Sequence, residues 1–105
     1  MKKSLILRDK KVIDNLFATG KSVSNDLILL KFLNSTDNKF LFAVSSSKFK
    51  RAVDRNRIKR LMKESTRNLL NDISGRTIAI VYRGISVPDF KSMDLSIKEL
   101  MKRIK

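Results

Sequence analysis

The chain has 105 residues, 42% of them hydrophobic, and a net charge of +14. That is enough apolar matter for one small domain, and so much like charge repels itself unless a polyanion lies close. With no Cys and no His, disulfides, thiolate metal centres and Ser–His or Cys–His catalytic pairs are excluded. At the N-terminus the apolar run Leu5–Leu7 is far short of the roughly 7–15 residues of a signal-peptide core. No run approaches the ~20 residues of a membrane span, so the expected location is the cytoplasm.

Asp9 predicts the cap of a first helix over Lys10–Thr19, with Ile13, Leu16 and Phe17 on one face and Gly20 at C′. Ile13 and Phe17 read first as core side chains. A short strand is possible near Ser22–Ser24. Leu27–Leu33 predicts a strand buried mostly on both faces. Lys31 interrupts it, either as an exposed edge position or as a phosphate contact. Turn residues Asn34–Asn38 separate it from a second strand, Lys39–Ser45, and the short gap favours an antiparallel hairpin. A helix follows from about Ala52 to Asn71, stopping near Ser74-Gly75. Thr77–Tyr82 is the clearest strand, and Gly84–Pro88 a loop. Ser92 predicts the cap of a last helix whose stripe is Met93, Ile97, Leu100, Met101 and Ile104. Its cations Lys98, Lys102, Arg103 and Lys105 read as a solvated face. The expected class is α+β: a small, mostly antiparallel sheet of three to four strands packed with three helices, in the order α-β-β-(β)-α-β-α.

The segment Lys48–Arg67 carries half of the chain's net charge. Its cations are Lys48, Lys50, Arg51, Arg55, Arg57, Lys59, Arg60, Lys63 and Arg67, opposed only by Asp54 and Glu64. On a helical wheel Ile58, Leu61, Met62 and Leu69 form the apolar side. Arg51, Arg55, Lys59, Lys63 and Arg67 repeat every four residues on the other side, joined by Asn56 and Arg60, with Arg57 towards the edge. Like charges at this spacing destabilise an isolated helix by a few tenths of a kcal/mol per pair. A bound phosphate backbone would offset that, so a nucleic acid is the first expected partner. A membrane-surface role is weaker, because the last helix, begun at Ser92, has no Trp or Phe to insert. A self-sufficient nuclease would need clustered acids, and the ten acids are scattered singly.

The run Ala52-Val53-Asp54-Arg55-Asn56-Arg57-Ile58-Lys59-Arg60-Leu61-Met62-Lys63-Glu64 resembles the Arg-Asn-Arg signature of the bacterial ribonuclease P protein component. Ser46 and Lys48 stand where that family has a Ser-Lys-Lys strand end. Leu7–Val23 is similar to its N-terminal block, and Ile78–Arg83 to its last strand. The resemblance covers nearly the whole chain. It implies a ribosomal-protein-S5-domain-2-like fold with a left-handed β-α-β crossover, against the usual right-handed rule. It implies an accessory subunit of an endoribonuclease whose catalytic RNA, with Mg²⁺, removes the 5′ leader of precursor tRNA. No catalytic residue is then expected in this chain, which is expected to be a monomer on its own. The implied contacts to the catalytic RNA are Lys48, Arg51, Arg55, Asn56, Arg57, Lys59, Arg60, Lys63 and Arg67. The implied leader cleft holds Ile13, Phe17, Lys31 and Arg83. Two departures stand out. Lys50-Arg51 replaces the family's usual Gly-Asn, and Ile13 and Lys31 stand where aromatics are common. A general ribosomal or nucleoid nucleic-acid-binding protein is the alternative reading.

Overall fold

The computed structural model describes residues 3–73 and 75–104. A 3-10 turn at Lys3–Leu5 precedes α1 (Lys10–Thr19), β1 (Lys21–Ser24), β2 (Ile28–Asn34) and β3 (Lys39–Ala43). Then come α2 (Ala52–Asn68), a second 3-10 turn (Leu70–Asp72), β4 (Arg76–Tyr82) and α3 (Phe90–Arg103). The expected stop near Ser74 and the terminal Lys105 lie outside the described residues.

The first helix starts as its cap predicts. The Asp9 carboxylate accepts the Lys11 N–H at 3.0 Å. It does not end as predicted, because Gly20 is extended, with φ −65° and ψ 147°. What requires glycine there is space, since a Cβ would lie 2.3 Å from the Leu16 carbonyl oxygen. α2 stops three residues earlier than expected, where Leu69 leaves helical geometry and the chain tightens into the 3-10 turn. α3 is capped by Asp89, not Ser92. The Asp89 carboxylate accepts the Ser92 N–H at 2.8 Å and thereby brings Phe90 into the first turn. Hydrogen bonding from Ser92 also holds the Asp89 carboxyl below its ordinary pKa.

The sheet runs β1-β2-β4-β3, with β1–β2 and β2–β4 antiparallel and β3–β4 parallel. The expected β2–β3 hairpin is therefore wrong. β4 enters between the two, Leu30 facing Ile80 on one side and Phe42 facing Ile80 on the other. A five-residue-class turn permits pairing of its flanking strands but does not compel it. β4 is the most thoroughly buried strand, from Thr77 to Ile80 and again at Tyr82, and two-sided burial favours the centre of a sheet. The crossover joining the parallel pair is α2.

Alternation assigns the two faces. Ile28, Leu30, Phe40, Phe42, Ile78, Ile80 and Tyr82 meet Ile58 and Met62 of α2 and the whole predicted stripe of α3 in the main core. On the other face Leu16 of α1 packs with Leu7 and Ala79, flanked by Val12, Ile13, Leu33 and Leu41. α1 is short, so it covers that face only in part. Leu29, Lys31 and Leu33 remain half-exposed, and β2 is buried on one face rather than both.

Candidate nucleic-acid interface

The approach to α2 is built on one aromatic anchor. Phe49 is buried, its ring 5.9 Å from that of Tyr82, while its N–H donates to the Ser45 carbonyl at 3.1 Å. The Tyr82 hydroxyl donates to the Ser86 carbonyl at 2.6 Å, and burial pushes its pKa up. Gly84 fits under this ring, where a Cβ would lie 2.2 Å from the hydroxyl oxygen. The residues after Phe49 turn into the helix without strain. Among the described residues only Gly75 has a positive φ, and Arg51 at the N-cap sits at φ −81° and ψ 126°. Lys50-Arg51 thus replaces the family's usual Gly-Asn in ordinary backbone geometry. Arg51 provides no side-chain cap to the helix.

Along α2 the wheel is realised with one exception. Lys48, Lys50, Arg51, Asn56, Arg57, Arg60, Lys63 and Arg67 are exposed, and Lys59 is half-buried. Three shallow hollows follow the helix. Lys48, Lys50 and Arg51 line one, of about 420 Å³, against Ile85–Val87. Asn56, Arg57 and Arg60 line the next, and Arg60, Lys63 and Arg67 the third. The exception is Arg55, which is half-buried. Its guanidinium turns back to donate to the Phe49 carbonyl at 2.7 Å and the Lys50 carbonyl at 2.9 Å. The side chain lies against the approach loop instead of standing out in the stripe.

Asp54 and Glu64 line these hollows beside the cations. The two ion pairs among the described residues are Asp94–Lys98 and Glu99–Arg103, both within α3. Asp54 and Glu64 form no ion pair among the described residues. A folded surface with this many unpaired cations is an electrostatic footprint for a polyanion.

The second group of predicted residues lies on the opposite face of the sheet, under α1. Phe17 is 39% exposed, a ring half available to solvent. Ile13 is half-buried and packs with the Leu7–Leu16–Ala79 cluster, as a core side chain would. Lys31 is not at an edge, since β2 lies between β1 and β4. Its ammonium donates to the Phe17 carbonyl at 3.3 Å, at the negative end of α1. Arg83 continues β4, and its guanidinium donates to the Asn25 carbonyl at 3.1 Å. The Lys48 ammonium reaches the Arg83 carbonyl at 3.5 Å. The two groups, though on opposite faces, therefore meet around the end of β4.

Sequence reasoning left Lys50 out of the contact set, yet it lines the first hollow with Lys48 and Arg51. The signal was present, because Lys50 is half of the departure from the family's Gly-Asn. Phe49 was missed as an anchor; one aromatic between two lysines carries no periodic signature. Among the described residues no group of three or more metal-ligating side chains comes together, and no helix is long and apolar enough to cross a membrane.

The protein-family model described as Ribonuclease P matches residues 1–105. The ribonuclease P protein component of Chlorobium phaeobacteroides is 32% identical over all of this chain and 88% of its own length. That of Clostridium botulinum (strain Loch Maree) is 35% identical over 92% of this chain and 91% of its own. The RNase P protein of Staphylococcus aureus shares the fold, with a TM-score of 0.86, covering 98% of this chain and 97% of its own at 20% identity. Matched end to end by the family model and by relatives above 30% identity, the chain belongs to the ribonuclease P protein family.

Proposed function

We propose that this chain, as the ribonuclease P protein subunit, holds the catalytic RNA on the outer face of α2 and the 5′ leader of precursor tRNA beneath α1. The observation that carries this reading is the row of cations on α2, which form no ion pair with an acid among the described residues. Each phosphate bound there releases condensed counterions, which gives affinity without base reading. The leader surface offers the half-exposed Phe17 ring, the Lys31 ammonium and the Arg83 guanidinium. Stacking beside cations holds a single strand with little regard for sequence, as differing leaders require.

The ribonuclease P protein component is an accessory subunit, so no chemical step is assigned to this chain. The metal belongs with the RNA partner. The protein's part is to reduce repulsion between two polyanions and to position the substrate. It acts as a monomer, in the cytoplasm where precursor tRNA is made.

The test is reconstitution. Added to a ribonuclease P catalytic RNA at a Mg²⁺ concentration too low for the RNA alone, the protein is expected to restore cleavage of a leader-bearing precursor tRNA. No stimulation, with binding intact, would reduce the chain to a general RNA-binding protein.

A further inference from the structure

Arg55 has the composition of an RNA contact and the geometry of a clamp. Its guanidinium takes two consecutive carbonyls, those of Phe49 and Lys50, at 2.7 and 2.9 Å. Those carbonyls belong to the only stretch joining the buried Phe49 ring to the first residue of α2. From that stretch the Lys50 and Arg51 side chains stand into solvent. Neither side chain has a hydrogen bond or ion pair among the described residues, so the backbone they spring from sets their direction. Arg51 supplies no cap, and the backbone bonds at the helix start, from Asp54 and Arg55 N–H to the Arg51 carbonyl, are long at 3.2 and 3.3 Å.

Both bonds leave one nitrogen, Nη1, whose two N–H groups are held in the guanidinium plane, whereas a lysine ammonium ends one bond short of that position on a freely rotating stem. We infer that Arg55 is a positioning residue: it aims the Lys50 and Arg51 cations at bound RNA and does not itself serve chiefly as a phosphate contact. This rests on the proposed function for the identity of the RNA. The role has particular weight in this chain, because a Gly-Asn pair in the same place would present no cation to aim.

The test is a double-mutant cycle on the affinity for a ribonuclease P catalytic RNA transcript, with folding of each variant confirmed by thermal unfolding. Arg55→Lys keeps the charge and loses the planar pair of N–H groups and one bond of reach. It is expected to bind about tenfold more weakly, close to Arg55→Ala. It should also lower the salt dependence by roughly one to two phosphate contacts, although no charge was removed. In a Lys50→Ala, Arg51→Ala background the further change Arg55→Lys should cost less than about twofold. Arg55→Lys binding like the wild type, or a full loss persisting in the double-alanine background, would overturn the clamp. Should Arg55→Ala not fold, Arg55→Lys and Arg55→Gln carry the cycle. If the wild type fails to bind that transcript, the proposed function fails, and the same cycle is then read from salt elution on immobilised heparin. There, elution of Arg55→Lys with the wild type would overturn the clamp independently.

Discussion

Arg51 serves two needs that conflict. At the N-cap of α2 it leaves the first helical N–H groups without a side-chain acceptor, and as a cation it widens the charged face. Arg51→Asn is expected to stabilise the fold by about 0.5–1 kcal/mol, the usual worth of a cap. The same change should weaken RNA binding and lower its salt dependence by about one contact. Denaturant unfolding beside a salt titration of RNA affinity checks both. Loss of stability would show that the helix start is satisfied in some other way. Individual residues differed in how far they could be read beforehand. Asp9 was legible because a cap is a local bond between a side chain and a nearby N–H. Arg55 was not. A wheel gives the direction of Cβ, and a long flexible stem can carry its charged end back over the helix start. Gly20 was recognised for the right position and the wrong reason: a C′ glycine was expected, and what the position needs is space beside the Leu16 carbonyl.

At the scale of elements, α2 and α3 are joined through one carboxylate. The Ser65 hydroxyl donates to Asp94 at 2.7 Å, and the Lys98 ammonium stands 2.7 Å from its other oxygen. Burial pushes the Asp94 carboxyl up, but Lys98 and Ser65 together outweigh it and hold the pKa below its ordinary value. The folded state therefore binds fewer protons than the unfolded chain in this range. Its contribution is present above the ordinary carboxylate pKa and is lost as pH falls through the lower, folded value. Asp94→Asn should cost about 1–2 kcal/mol near neutral pH. The gap from wild type should close in acid, and urea unfolding at both pH values measures it; a constant gap would point to packing instead of charge. The stripes of α2 and α3 were legible because burial imposes the helical period on the sequence. Strand neighbours were not, because apolar runs such as Leu27–Leu33 and Thr77–Tyr82 state that a strand is buried and leave its partner open.

The molecule as a whole carries +14 with few internal counter-charges. Added salt screens repulsion more than it weakens the two pairs on α3, so stability should rise with ionic strength. A melting series from low salt to about 0.5 M potassium chloride should climb by several degrees. A fall would mean that attractive pairs outweigh the repulsion. Overall charge was readable from composition and class from the order of predicted elements; the mixed sheet was not, because it depends on where β4 inserts. That insertion reaches into how the protein is made. A ribosome delivers β2 and β3 long before β4, and a β1–β2 ribbon alone is marginal in water. α2 thus leaves the exit tunnel as a cationic, half-apolar segment before α3, the helix it packs against most, exists. Final folding waits for roughly the last quarter of the chain, and until then the nascent helix has its apolar side uncovered as well as its charges.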